Sequence, residues 1–192
     1  MRVISGTARG KQLLPVPGMK TRPTADRIKE SVFNIIQNHV RGSRVLDLFA
    51  GTGQLGIEAL SRGAAQCDFV EQNRKAYTVL CKNITAARVN DRAHIHQTAA
   101  AAFLSRVQGT QYDLVLLDPP YGGKILQDTL FLINRFDILS PSGIILCESA
   151  QDDEFETPFP PLREYRYGSI RITVLPGLHK GANPMTESDA NL

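Results

Sequence analysis

"RVLDLFAGTGQLGIEAL", Arg44 to Leu60, decides the reading of the fold. It opens on an apolar run with one acid inside it, Asp47. Three glycines follow in the spacing G-x-G-x-x-G, at Gly51, Gly53 and Gly56, and a helix-like stretch closes it. Strand, glycine turn and helix make the unit from which parallel α/β sheets are built. Outward from this stretch the same rhythm repeats. Strands are expected at 44–49, 66–71, 93–97, 112–118 and 143–148, with helices at 54–62, 73–88, 98–107 and 124–138. The end differs: "LREYRY", Gly168-Ser169 and "IRITVL" read as an antiparallel hairpin. The expected fold is therefore α/β, a mostly parallel seven-stranded sheet with a C-terminal antiparallel hairpin. Upstream, residues 24–40 read as a helix that Thr24 can cap. Residues 1–23 alternate like two short strands around "TARG", and Pro15, Pro17 and Pro23 bar a helix. They are expected to form a small N-terminal β-hairpin extension to a domain at 24–178, with 179–192 a disordered tail.

Composition bounds the function. The 192 residues are 42% hydrophobic and 21% charged, enough for one soluble domain with a sizeable core. No apolar stretch approaches a membrane span, and the N-terminus lacks the core of a signal peptide. Three scattered cysteines without CxxC suit the reducing cytoplasm. Charge is unevenly spread: residues 1–100 carry 15 Lys/Arg against 7 Asp/Glu, and residues 101–192 carry 7 against 12. Before Asp26 stand Arg2, Arg9, Lys11, Lys20 and Arg22 with no acid among them. Such a one-sided segment is either a solvated terminus or a footprint for a polyanion such as RNA.

Two motifs carry chemistry. The glycine loop lets a ligand approach the backbone, and Glu71, at the tip of the second strand, suits a ribose diol. A sterically required tight turn would use the same glycines. NAD and S-adenosylmethionine both fit this arrangement. Asp47 favours the latter, because its carboxylate would repel a pyrophosphate and attract an ammonium or sulfonium. Glu58 reads as an ordinary helix-surface residue. The second motif is "LVLLDPPYGG", Leu114 to Gly123. The Asp118 carboxylate and the Pro119 carbonyl can together accept both hydrogens of an exocyclic amine, and the Tyr121 ring can stack on a flat base. An aromatic amine is a poor nucleophile, so acceptors that orient it and stabilise its developing charge assist methylation. A rigid structural turn is the plainer reading of the same residues.

These stretches resemble known families. "LDLFAGTGQLGIEALSRGA", "VE" and "DPPY" are similar to motifs of Rossmann-like class I S-adenosylmethionine-dependent methyltransferases that act on amines. "RVISGTARGKQLLPVPG", "TRPTADRIKESVFNII" and the terminal "YRYGSIRITVL" more narrowly resemble the RsmD family, bacterial 16S ribosomal RNA (guanine-N2)-methyltransferases. The resemblance covers residues 2–176. It implies that Asp47, Gly51 and Gly53 form the cofactor loop and that Glu71 holds the ribose. It implies that Asp118, Pro119 and Tyr121 form the amine-binding catalytic loop. Arg22, Thr24, Asp26 and Arg27 match a stretch expected over the cofactor and target pocket. One departure is that "QTAAAAFL" offers Ala99 and Ala100 where such enzymes often place a polar side chain near the adenine.

The expected partner is 16S rRNA, the small ribosomal subunit or its assembly intermediate, contacted through Arg2, Arg9, Lys11, Arg22 and Arg27. A cytoplasmic monomer without a metal is expected, because the methyl donor is already activated. His94 and His96 read as ordinary strand histidines, and the acidic run Asp152 to Glu156 as a solvated loop held away from RNA. Glu148 either helps to position the base or is structural. The competing functions are an adenine-N6 DNA methyltransferase, a protein-glutamine methyltransferase and a non-catalytic RNA-binding assembly factor.

Overall fold

Alternate residues of the central strands are buried on opposite faces of one sheet. In β4 (Tyr112–Leu117), Leu114 and Leu116 pack with one core cluster and Val115 and Leu117 with another. A strand buried on both faces has to be continuously apolar, which is why its run "LVLL", Leu114 to Leu117, reads as it does. The computed structural model describes residues 1–17 and 26–177. Lys20, Arg22, Thr24 and the tail at 179–192 lie outside the described residues.

The sheet has seven strands in the order β3-β2-β1-β4-β5-β7-β6. The other six are β1 (Arg44–Asp47), β2 (Gln66–Val70), β3 (Ala93–His96), β5 (Leu139–Ala150), β6 (Arg163–Tyr167) and β7 (Ile170–Pro176). The first five in chain order are parallel, and β7 runs antiparallel between β5 and β6. The hairpin thus folds back so that its second strand, not its first, meets β5. Helices α1 (Asp26–Ile35), α2 (Gln54–Ser61) and α3 (Arg74–Ala87) contribute to the first core cluster. Helices α4 (Ala100–Arg106) and α5 (Lys124–Arg135) contribute to the second, so both faces of the sheet are covered. No helix among the described residues is long and apolar enough to cross a membrane.

β5 is longer than the run 143–148. It begins at Leu139, which pairs with Tyr112, and the register shifts before Ile144 pairs with Leu114. That irregularity accommodates Ser140-Pro141-Ser142-Gly143, a turn-like sequence held extended by its neighbouring strand.

The expected N-terminal hairpin is reduced to an isolated antiparallel bridge, Arg2 against Gln12; residues 1–17 form no strand. Val3 N–H donates to the Lys11 carbonyl at 2.9 Å and Leu13 N–H to that of Met1 at 3.1 Å beside this bridge, while other backbone donors of the segment turn to side chains of α2 and α3. Ile4 N–H and Ser5 N–H donate to the Glu58 carboxylate at 2.7 and 3.0 Å, and Leu14 N–H donates to Asn83 Oδ1 at 2.8 Å. Val3 and Leu13 are buried in the first core cluster.

This packing corrects the reading of Glu58, which is fully buried rather than on the surface. Its partners are Arg62 at 2.7 Å and the equally buried Lys29 at 3.7 Å. Burial pushes the Lys29 amine down in pKa while Glu58 opposes that shift. Seven consecutive residues of α2, Leu55 to Ser61, are buried because the N-terminal segment covers what would otherwise be its solvent face.

Candidate active site

The sheet order reverses between β1 and β4, and in open α/β sheets ligands bind beyond the carboxyl ends of the strands at that point. A cavity of about 710 Å³ lies there. It brings together Asp47, Gly51, Glu71, Asp118, Pro119 and Tyr121 from separate stretches of the chain, and Glu148 with them.

Asp47 ends β1 and is almost wholly buried, with Oδ2 accepting from Gly56 N–H at 2.9 Å. Burial pushes its pKa up to about 7; the Gly56 bond opposes this and Glu71 adds to it. Gly53 caps α2 with φ of +81°, and a Cβ there would stand 2.4 Å from Leu80 Cδ1, so both conformation and space require glycine. Glu71 follows β2 and fixes the loop: Oε2 accepts from Gly51 N–H at 2.9 Å and Oε1 from Asn73 N–H at 2.6 Å. Asn73 in turn caps α3. Local amide acceptance by Asp47 and Glu71 is therefore real, and both carboxylates still face the cavity.

Asp118 follows β4. Burial pushes its carboxyl well above the ordinary range, and the carboxylates of Glu148 and Asp47 push it further. Tyr121 O–H donates to Glu148 Oε1 at 3.1 Å, which ties the ring to β5. The end of the loop is clamped by the acidic run. Gly122 N–H donates to the Asp153 carboxylate at 3.1 and 3.2 Å, and Ala150 N–H reaches it at 3.0 Å. A Cβ on Gly123 would stand 2.3 Å from the Glu154 carbonyl oxygen. Asp153 is therefore part of the loop's mounting, while Asp152, Glu154 and Glu156 are exposed, as a solvated run would have them.

Sequence reasoning missed several wall residues. Thr98 lines the cavity together with the expected Ala100, whereas Ala99 does not, and Met1 and Val16 line it from the N-terminal segment. Glu148, read from the sequence as an acid that either helps to position the base or is structural, lines the cavity. Among the basic residues, Arg2, Arg9 and Arg27 line a second cavity of about 350 Å³ with Asp26 and Glu30. Arg2 pairs with Asp26 at 3.2 Å; Lys11 is exposed outside that cavity. Arg22 lies outside the described residues. His96 bonds Asp68 at 2.8 Å and His94 is exposed. Among the described residues no group of three or more His, Cys, Asp or Glu could hold a metal ion.

The residues fit S-adenosylmethionine. The volume suits a nucleoside-sized ligand. The buried Asp47 carboxylate could answer a cationic group, and Glu71 stands at the tip of the neighbouring strand. Fold and cavity together match the class of S-adenosylmethionine-dependent methyltransferases.

Comparison with known proteins narrows the class. A family model described as "Conserved hypothetical protein 95" matches residues 1–175. The chain is similar to YlbH of Bacillus subtilis, 41% identical over 160 residues, covering 82% of this chain and 86% of that one. It is similar to ribosomal RNA small subunit methyltransferase D of Escherichia coli K12, 35% identical over 158 residues, covering 82% and 78%. The solved structure of yhhF from Escherichia coli superposes with a TM-score of 0.81 at 33% identity, covering 92% and 97%. An RNA methyltransferase of Salinibacter ruber, solved with S-adenosyl-L-homocysteine, shares the fold at 17% identity with a TM-score of 0.65, covering 86% and 99%. The chain belongs to this family, the RsmD-like methyltransferases.

Proposed function

We propose that the protein transfers a methyl group from S-adenosylmethionine to the exocyclic N2 amine of one guanine in 16S rRNA of the small subunit. The observation that carries this reading is the meeting of the Asp-Pro-Pro-Tyr loop and the Asp47–Gly51–Glu71 pocket on one cavity. The names of the Escherichia coli and Haemophilus influenzae relatives support small-subunit rRNA as the substrate.

The cofactor supplies a methyl group on a sulfonium, whose electron pair returns to sulfur on transfer. The remaining work falls to the chain. Asp47 and Glu71 would hold its amino acid and ribose ends. The target base leaves its stack to enter the cavity, because a stacked base is out of reach. Tyr121 offers a face to stack on, with its hydroxyl anchored at Glu148. The Asp118 carboxylate and Pro119 carbonyl accept from the amine, direct its nitrogen toward the methyl group and stabilise the positive charge that develops there. Asp118 then takes the proton that nitrogen must lose.

The test is to map modified bases in ribosomal RNA from cells lacking the protein. One missing N2-methylguanine, restored on re-expression, is the expected result. An unchanged modification pattern overturns the reading.

A further inference from the structure

We propose that Asn83 is a positioning residue of the cofactor site: its one side-chain amide ties the N-terminal segment to the glycine loop and so sets the spacing of two walls of the cavity. This rests on the reading of the cavity as the S-adenosylmethionine pocket and goes beyond it, to what keeps the pocket in shape.

The observations are three hydrogen bonds and where they lead. Asn83 is on α3, is fully buried and does not itself line the cavity. Its Oδ1 accepts from Leu14 N–H at 2.8 Å, and its Nδ2 donates to the Leu14 carbonyl at 3.1 Å. The same Nδ2 donates to the Thr52 carbonyl at 2.9 Å. Thr52 stands between Gly51 and Gly53 and lines the cavity. Val16, two residues beyond Leu14, lines it too, packed against Ala76 and Val79 of α3. A further contact joins the same two walls, from Thr52 O–H to Met1 Sδ at 3.9 Å.

The pattern needs an amide. Leu14 precedes Pro15, and a residue before proline is biased to extended backbone, whose own N–H and C=O point to one side. Asparagine presents an acceptor and a donor side by side, so it pairs with both as a neighbouring strand would. Its second N–H remains for Thr52. The glycine loop thus has two anchors. Glu71 holds it from the tip of β2 at Gly51 N–H, and Asn83 holds it from α3 at the Thr52 carbonyl. A ligand between two walls binds more tightly when their spacing is set beforehand, because less ordering is left to oppose binding. The N-terminal segment therefore belongs to the cofactor site, besides covering α2.

The test is calorimetry with S-adenosylhomocysteine on wild type, Asn83→Leu and Val16→Ala, with urea denaturation alongside. Asn83→Leu keeps a similar volume and removes all three bonds. The affinity of the folded variant should fall by about tenfold, the scale of losing one net hydrogen bond. In turnover the loss should appear in KM for S-adenosylmethionine with kcat little changed, because Glu148 and Asp153 mount the Asp-Pro-Pro-Tyr loop. A role in stability alone lowers the urea midpoint and leaves the affinity of the folded variant at the wild-type value, which overturns the proposal. Val16→Ala keeps the amide bonds and carries the test if Asn83→Leu does not fold. It removes part of the wall that Asn83 holds, so affinity should fall there too, and an unaltered value overturns the place of the segment in the site. A wild-type protein that binds no S-adenosylhomocysteine overturns the cofactor reading itself, and this inference with it.

Discussion

Asp118 has to be ionised to take a proton, and its surroundings oppose that form. Burial is the larger influence, and the like charges of Glu148 and Asp47 add to it. The proton is therefore retained at pH values where an ordinary aspartate, near 4, is fully ionised. Methyl transfer should rise with pH along an acid limb lying well above that value, a property of the Asp118–Glu148 pair rather than of one group. A pH–rate profile checks it. Glu148→Gln removes a like charge and should move the limb to lower pH. Asp118→Ala should slow transfer by at least ~100-fold, the scale of losing one key electrostatic group, with cofactor affinity little changed. Retention of wild-type turnover would remove Asp118 from catalysis. Asp47 carries the corresponding prediction for the cofactor. Its pKa near 7 means that it is only part ionised at neutral pH in the empty protein. A cationic ligand favours the carboxylate, so binding should release protons and tighten as pH rises through 7. Calorimetry in buffers of different ionisation enthalpy measures this, and Asp47→Asn should abolish the release. For stability the sign is opposite. Between the unfolded value near 4 and the folded value near 7, only the folded state keeps the proton, so this group's contribution weakens as pH rises through that window.

Helix α2 is held between the sheet and the N-terminal segment, and each contact depends on particular residues. Gly56 lets the helix approach β2, because a Cβ there would lie 2.3 Å from the Phe69 ring. Glu58 joins the helix to the segment through two backbone N–H groups and to α1 through Lys29. Removing one partner of a buried pair leaves an uncompensated charge, so Glu58→Ala should cost about 3–5 kcal/mol. Glu58→Gln, which keeps the side-chain volume and one of the two acceptor oxygens used by Ile4 and Ser5, should cost less. Urea denaturation compares the two. These contacts mark the limit of what the sequence alone reveals. The strands and helices were legible because period and glycine spacing are local properties, and Asp47, Glu71 and Asp118 were legible because each ends a strand at the ligand-binding edge. The burial of Glu58 and the clamp by Asp153 were not, since both depend on segments 54 and 31 residues away in the chain. The hairpin was over-read for the same reason. Alternation in the two stretches was genuine and gives a short antiparallel contact, Val3 N–H to Lys11 and Leu13 N–H to Met1, but from Ile4 onward the donors go to side chains of α2 and α3.

At the scale of the whole molecule, charge has a direction. Arg2 and Arg9 of the first segment and Arg27 of α1 line one groove, together with Asp26 and Glu30, while Asp153 of the acidic run mounts the Asp-Pro-Pro-Tyr loop. Met1 lines the cofactor cavity and Arg2 the neighbouring groove, so a strand of RNA held by its phosphates at the groove would lie next to the base pocket. Phosphates are repelled near Asp152 to Glu156, which leaves the N-terminal segment as the favourable approach. Replacing Arg2, Arg9 and Lys11 together by glutamine should therefore weaken RNA binding and make it less sensitive to salt. Each lost phosphate contact should lower the slope of log affinity against log salt by about 0.7–0.9. The fold should tolerate the change. Arg9 and Lys11 are exposed, the Arg2–Asp26 pair is more than a third exposed on both sides, and such pairs contribute little. Lys29 meets Arg2 through its backbone carbonyl, which the substitution leaves in place. Cofactor affinity should stay the same, since none of the three side chains lines its cavity. RNA affinity measured at several salt concentrations, with cofactor affinity as the control, decides the matter. An unaltered slope would mean that the phosphates are held elsewhere.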